Sequence, residues 1–187
     1  MGKQFERIEP DHREFIAQQH IFFNASACSH GRVNVSPRDV AALRVVDDRT
    51  VIYLDRTGSG NETAAHLLAD GRLTLMFCAF EGGPQILRLY GRGRVLARCS
   101  AEYAHLLAAW YGGIEVPGAR QMVHLDVGLV QTSCGMNVPL YDYVDERDQL
   151  TRWAEAKGET GLEEYRRQKN ATSIDGLPTG MFERVGS

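Results

Sequence analysis

Short apolar runs rich in β-branched and aromatic residues dominate the chain, and Gly, Pro, Ser or Asp break each one off. They fall at His20–Ala27, Arg32–Ser36, Ala41–Val46, Thr50–Leu54, Arg72–Phe80, Ile86–Ala97 and Met122–Gln131. Their length and alternation predict β-strands. Ser29-His30-Gly31 reads as a tight turn that makes the first two a hairpin, and Asp47-Asp48-Arg49 and Glu81-Gly82-Gly83-Pro84 read as further turns. Helical spacing appears in Asp11–Gln19 after Pro10, in Asn61–Ala69, and in Ser100–Ala109, where Ser100 is placed to cap and Glu102 lies in the first turn. From Asp145 onward, Leu150, Trp153, Ala154, Leu162 and Tyr165 stand among many charges, and Gly158 and Gly161 predict two short helices. Ser173–Pro178 has turn chemistry and is expected to pack on the body. Strands joined by tight turns predict a mainly β fold with peripheral α-helices, a small antiparallel barrel rather than a parallel sheet.

Composition narrows the class. The chain has 187 residues, 43% of them apolar, which is enough for a closed core. Lys plus Arg number 21 against 24 Asp plus Glu, a net charge of −3 that argues against a nucleic-acid partner. Cys28, Cys78, Cys99 and Cys134 form no Cys-x-x-Cys pair, so a reduced, cytoplasmic protein is expected. The six histidines show no metal-ligand spacing. The start of the chain carries no signal-like apolar run, and no run is long enough to span a membrane.

Two segments carry candidate chemistry. In Ile86–Leu96, Leu87, Leu89, Gly91, Gly93 and Val95 alternate with Arg88, Tyr90, Arg92 and Arg94. The basic face is either a solvated sheet face or an anion-binding wall, and the glycines mark a bulge or a close approach. The second segment, Asp55-Arg56-Thr57-Gly58-Ser59-Gly60-Asn61-Glu62-Thr63, lies between a strand and a helix. Backbone N–H groups at such a helix start suit a phosphate, although a polar loop with an ordinary cap has the same composition. Thr63 replaces the third glycine of a dinucleotide fingerprint, and no P-loop lysine is present. Arg38 and Arg44 are further phosphate candidates. Cys134, between Ser133 and Gly135, has no assigned histidine and is read as structural.

Taken in order, these pieces resemble the pyridoxamine 5′-phosphate oxidase-like flavoproteins from about Phe15 to Val130. Asn34-Val35-Ser36-Pro37-Arg38 is similar to the family's Asn-x-Ser-Pro-Lys/Arg strand end. Thr50–Arg56 followed by Gly58 and Asn61 is similar to its strand and phosphate loop, Leu68–Phe77 to the next helix end and strand, and Ile86–Gly93 to its Val-Arg-Val-x-Gly strand. The tail from Gln131 through Pro178 resembles an uncharacterised bacterial branch.

The resemblance implies a six-stranded antiparallel split β-barrel of the FMN-binding type over residues 1–144. Residues 145–187 would form a helical extension packing on the barrel or on a dimer partner. It implies a homodimer with FMN between subunits, held by Ser36, Arg38, Asp55, Arg56, Gly58, Ser59 and Asn61 at the phosphate and by Arg88 and Tyr90 near the ring. Val123, Leu125, Val127 and the bare Gly91 and Gly93 face would then be covered by the second subunit. The implied activity is a flavin-dependent oxidoreductase acting on a small molecule; the alternative is a non-catalytic protein binding flavin, deazaflavin or haem. The family's Ser-Arg-Lys phosphate clamp is absent from Gly58–Thr63, Gln85 stands one residue early, and the C-terminal Trp and Arg motifs are unmatched. These departures point away from pyridoxamine phosphate as substrate.

Overall fold

The computed structural model describes residues 2–182. Eight antiparallel strands make one sheet in the order β3-β2-β6-β7-β8-β5-β4, with β1 pairing the end of β8. In chain order these are β1 (Lys3–Phe5), β2 (Ile21–Ser26), β3 (Asn34–Asp39), β4 (Leu43–Val45), β5 (Thr50–Arg56), β6 (Arg72–Cys78), β7 (Ile86–Ala97) and β8 (Ala119–Ser133). The helices are α1 (Pro10–Ala17), α2 (Glu62–Ala69), α3 (Ala101–Tyr111) and α4 (Gln149–Lys169). The strand count is eight rather than the six the resemblance implied: each of the seven runs read from the sequence overlaps a strand, Leu43–Val45 within Ala41–Val46 among them, and Lys3–Phe5 adds a three-residue one.

Topology dictates the curl. The outermost strands of the path, β3 and β4, are consecutive in the chain, joined only by the 3-10 turn Val40–Ala42. Between Asp39 and Leu43 the chain reaches at most roughly 15 Å. The sheet must therefore bend until its two edges nearly meet, leaving a split between them.

Alternation then decides what fills the inside. Phe22, Tyr53, Leu75, Phe77, Leu87, Leu89, Val123 and Leu125 are all fully buried in one cluster, to which Ile8 and Ile16 also belong. The Phe22 ring meets Tyr53 edge-on at 5.3 Å and stacks on Phe77 at 5.8 Å. Burial of each such side chain contributes about 1.5–3 kcal/mol. The opposite face of β5 and β8 is covered as well: Ile52, Leu54, Leu96 and Met122 pack with Tyr103 of α3.

Val123, Leu125 and Val127 are at most 3% exposed within this single chain, so they do not await a second subunit. Nor is the glycine face bare. The ladder shifts register between Tyr90 and Gly91, where a Cβ on Gly91 would stand 1.9 Å from the Asp126 carbonyl oxygen. A Cβ on Gly93 would meet Leu67 and Leu73 at 2.8 Å. The two glycines let the protein's own backbone and core approach β7.

The extension docks on the barrel. Gly158, at φ 64° and ψ 171°, breaks the helical path of α4, whereas Gly161 does not. Beyond the break, Arg166 donates to the Thr57 hydroxyl and the Ala119 carbonyl. The tail turns as expected, with Thr172 bridging Pro178 and Asp175 accepting from the Arg32 backbone.

Candidate active site at the barrel split

A cavity of about 1480 Å³ lies at the split. Pro37, Arg38 and Asp39 of β3, Arg44 of β4, and Leu54, Arg56, Thr57 and Gly58 at and just beyond the end of β5 form one wall. The β6–β7 turn, the loop after α3, and Tyr141 and Tyr143 from the irregular segment that follows β8 complete the lining. Tyr143 stacks on His20 with centroids 3.7 Å apart and planes at 7°, while its backbone N–H donates to Glu81. Tyr141 lies 5.5 Å from Phe80. The Arg44 guanidinium sits 4.7 Å over the Tyr111 ring. The lining thus joins four arginines and four carboxylates, Asp39, Glu81, Asp145 and Glu146, to flat apolar surfaces, and beside Arg38 and Arg56 it suits a ligand with an anionic head and a planar ring.

The arginines are not equivalent. Arg44 donates to the Ala41, Leu43 and Trp110 carbonyls, and Arg56 donates to Pro117 O at 3.0 Å and Thr151 Oγ1 at 2.9 Å. Arg38 has fewer commitments. One terminal nitrogen lies 3.2 Å from Asp55 Oδ1, and Nε, though buried, has no hydrogen-bond partner among the described residues. Burial pulls the Arg38 guanidinium down, but Asp55 and Tyr53 outweigh it and hold it above its ordinary value. The rest of the side chain is 27% exposed and lines the cavity, and its pair with Asp55 leaves terminal donors over, so the place has the chemistry of an anion seat. Gly58 adds open space, since a Cβ there would meet nothing within 4 Å.

Behind this wall is a buried polar core. Asp55 Oδ2 accepts from Arg120 Nε and Gln121 Nε2, both at 2.8 Å. Arg120 also donates to Gly60 O and Asn170 Oδ1, Gln121 to Asn61 Oδ1, and Asn170 to Gly58 O. Burial pushes the Asp55 carboxyl up, yet Arg120 and Arg38, with the hydrogen bonds, outweigh it and hold it below the usual carboxylate range. Asp55 is ionised at neutral pH.

Of the nine residues singled out from sequence, the structure brings Arg38, Arg56 and Gly58 to the cavity wall. Asp55 and Asn61 are 1% exposed and lie behind it. Ser36 donates to Asn34, whose amide, with that of Asn24, donates to Thr63; Ser59 is exposed outside the wall. Arg88 donates to Ser133 and Tyr90 to Gln131, also outside it. The arginines of β7 do not converge on one ligand, because Arg94 is held by both oxygens of Glu102. Nor does the start of α2 open onto the cavity: Glu62 there accepts from the Ile174 backbone of the tail.

Arg120 and Gln121 escaped the sequence reading because the apolar run begins at Met122, three residues after β8 does. Asn170, Tyr141 and Tyr143 lie in segments without periodicity. Burial pushes the Cys28 and Cys78 thiols up, against a nucleophilic role, and Cys134 is exposed.

Comparison with known proteins agrees with this geometry. The family model described as pyridoxamine 5′-phosphate oxidase matches residues 8–134. The chain belongs to the pyridoxamine 5′-phosphate oxidase family. It is 37% identical over 190 residues to the pyridoxamine 5′-phosphate oxidase family protein ustO of Aspergillus flavus, covering 93% of this chain and 76% of that protein. Among solved structures, HupZ of Group A Streptococcus matches with a TM-score of 0.55 at 19% identity, covering 67% of this chain and 99% of that one. A candidate pyridoxamine 5′-phosphate oxidase of Lactobacillus delbrueckii gives 0.52 at 17% identity, covering 67% and 94%. These two establish the fold: a curled, mainly β split barrel with peripheral helices. Among the described residues no helix is long and apolar enough to cross a membrane.

Proposed function

We propose that this protein binds FMN at the barrel split and acts as a flavin-dependent oxidoreductase on a small molecule. The observation that carries the reading is Arg38, a half-buried guanidinium on the cavity wall whose ion-pair partner, Asp55, is shared with Arg120. Arg38, Arg56 and the open backbone at Gly58 would hold the phosphate. The aromatic walls would flank the ring and keep bulk water from it. When bound, FMN supplies the hydride or electron transfer, and the protein binds and orients. The volume exceeds the 300–1,000 Å³ typical of a single-ligand pocket, which leaves space for a substrate beside the ring.

The proposal includes a homodimer. Val123, Leu125 and the β7 glycines no longer support it, but Met136, Leu140 and Val144 do, at 79%, 72% and 91% exposed on the segment that also carries Tyr141 and Tyr143. Such exposed apolar side chains along one segment favour a partner surface, and sedimentation equilibrium with a dimer mass is the expected result. The free cysteines fit a reducing cytoplasm.

The test of the enzymatic reading is anaerobic reduction. FMN-loaded protein mixed with NADPH should lose its flavin absorbance, and an added electron acceptor should restore it with catalytic turnover. Bound flavin that neither NADPH nor NADH reduces would leave a flavin-storing protein instead.

A further inference from the structure

Asp55 stands where alternation should put an apolar side chain. It follows Val51 and Tyr53 on the inward face of β5, both at most 1% exposed, and is itself 1% exposed. A charge in that position is tolerated only when it is paired and fully hydrogen-bonded. One oxygen meets the condition, since Oδ2 takes Arg120 and Gln121. The other does not. Oδ1 has the Arg38 terminal nitrogen at 3.2 Å as its ion-pair partner and accepts no hydrogen bond. Arg38 Nε and the Tyr53 hydroxyl are buried as well and make no hydrogen bond of good geometry, and the guanidinium and that hydroxyl lie beside each other.

The charges are unequal too. Two guanidiniums share one carboxylate, which leaves one positive charge uncompensated. Arg120 is 2% exposed and spends its remaining bonds on Gly60 and Asn170, whereas the Arg38 side chain is 27% exposed and lines the cavity. The surplus charge is thus presented by Arg38. Asp55 is no part of the wall and touches nothing in the cavity.

We infer that Asp55 is a positioning residue: anchored by Arg120 of the neighbouring strand β8, it reaches across the split and sets the direction of the Arg38 guanidinium so that its exposed edge faces the phosphate of the bound flavin. The inference rests on the flavin reading above. It assigns Asp55 a role distinct from ligand contact and links the cofactor seat to Arg120 and, through it, to Asn170 of the C-terminal extension.

The experiment measures affinities for FMN and riboflavin, which differ by the phosphate alone, by flavin fluorescence quenching on the full-length protein. In the wild type FMN should bind more tightly than riboflavin. A positioning role predicts that Asp55→Asn narrows this preference by at least about tenfold, the range for a hydrogen bond to a charged group, with riboflavin affinity little changed. A general structural defect would lower both affinities and leave their ratio alone. Arg38→Lys keeps the charge but not the fork, and should narrow the preference nearly as far as Arg38→Gln; this variant decides the matter if Asp55→Asn fails to fold. A narrowed ratio in Arg38→Gln, with wild-type ratios in Arg38→Lys and Asp55→Asn, would overturn the positioning role and leave the flavin reading standing. Absence of any FMN preference in the wild type would overturn both.

Discussion

Arg166 Nε donates to Thr57 Oγ1 at 2.8 Å, a hydrogen bond spanning 109 residues of sequence. Thr57 in turn donates to Gly118 O, and the same guanidinium reaches Ala119 O, so one arginine of α4 pins the end of β5 to the start of β8. The Arg166 side chain is only 8% exposed. Through this contact the C-terminal extension holds the backbone on which Arg56 and Gly58 are mounted.

Arg166→Met should therefore destabilise the fold by about 2–3 kcal/mol, the scale of losing charged hydrogen bonds while leaving buried acceptors unmet. Urea denaturation would measure it. A shift below about 0.5 kcal/mol, typical of an ordinary surface substitution, would mean that α4 is merely appended.

Gly91→Ala should be among the most damaging single changes in the sheet. The added methyl would collide with a backbone oxygen, which cannot swing aside as a flexible side chain can. The cost should exceed about 3 kcal/mol, in the range of diagnostic core lesions. Normal expression and melting of this variant would show that the β7–β8 bulge is misplaced.

Cofactor content should separate cavity arginines from surface ones. Arg38→Ala and Arg56→Ala should each lower FMN retention about tenfold or more through lost charge-assisted contacts. Arg7→Ala should leave it unchanged, because Arg7 is exposed and pairs only with Asp48 among the described residues. Equal flavin content in all three purified variants would remove Arg38 and Arg56 from the seat.

Acid should weaken the fold through paired carboxylates. Burial pushes Glu115 up, but Arg98 and the Tyr103 hydroxyl outweigh it and hold its carboxyl below the ordinary value. A depressed carboxyl contributes stability that is complete above its unfolded pKa, about 4.3 for Glu, and is lost as pH falls through the lower folded value. Glu115→Gln should thus cost about 1 kcal/mol at neutral pH and flatten the fall in melting temperature below about pH 4. A variant with an unchanged acid slope would place the sensitivity elsewhere.

Much of this architecture was legible in the chain. The bounds of β7 match its apolar run residue for residue, and the turns at Gly31, Asp47 and Gly82 all join antiparallel neighbours. The depth of Asp55 was not legible. Val51 through Asp55 are all buried because α3 covers the outer face of β5, so no alternation marks which side the carboxylate takes. The partners of Asp55 were hidden for another reason: Arg120, Gln121 and Asn170 come from distant segments, and only folding makes them neighbours of Gly58 and Asn61. The β7 arginines misled for the opposite reason. Their spacing is that of a binding face, but Glu102 and Ser133 meet two of them from elements that sequence alone does not place there.

The central claim is that the cavity at Arg38 holds a flavin. The most direct measurement is the absorption spectrum of the purified protein, taken before and after incubation with excess FMN and gel filtration, with mass spectrometry of what denaturation releases. The account predicts a yellow protein that retains about one FMN per chain, as expected for a single seat on each copy. Protein that stays colourless after incubation, or releases a different cofactor, would contradict it.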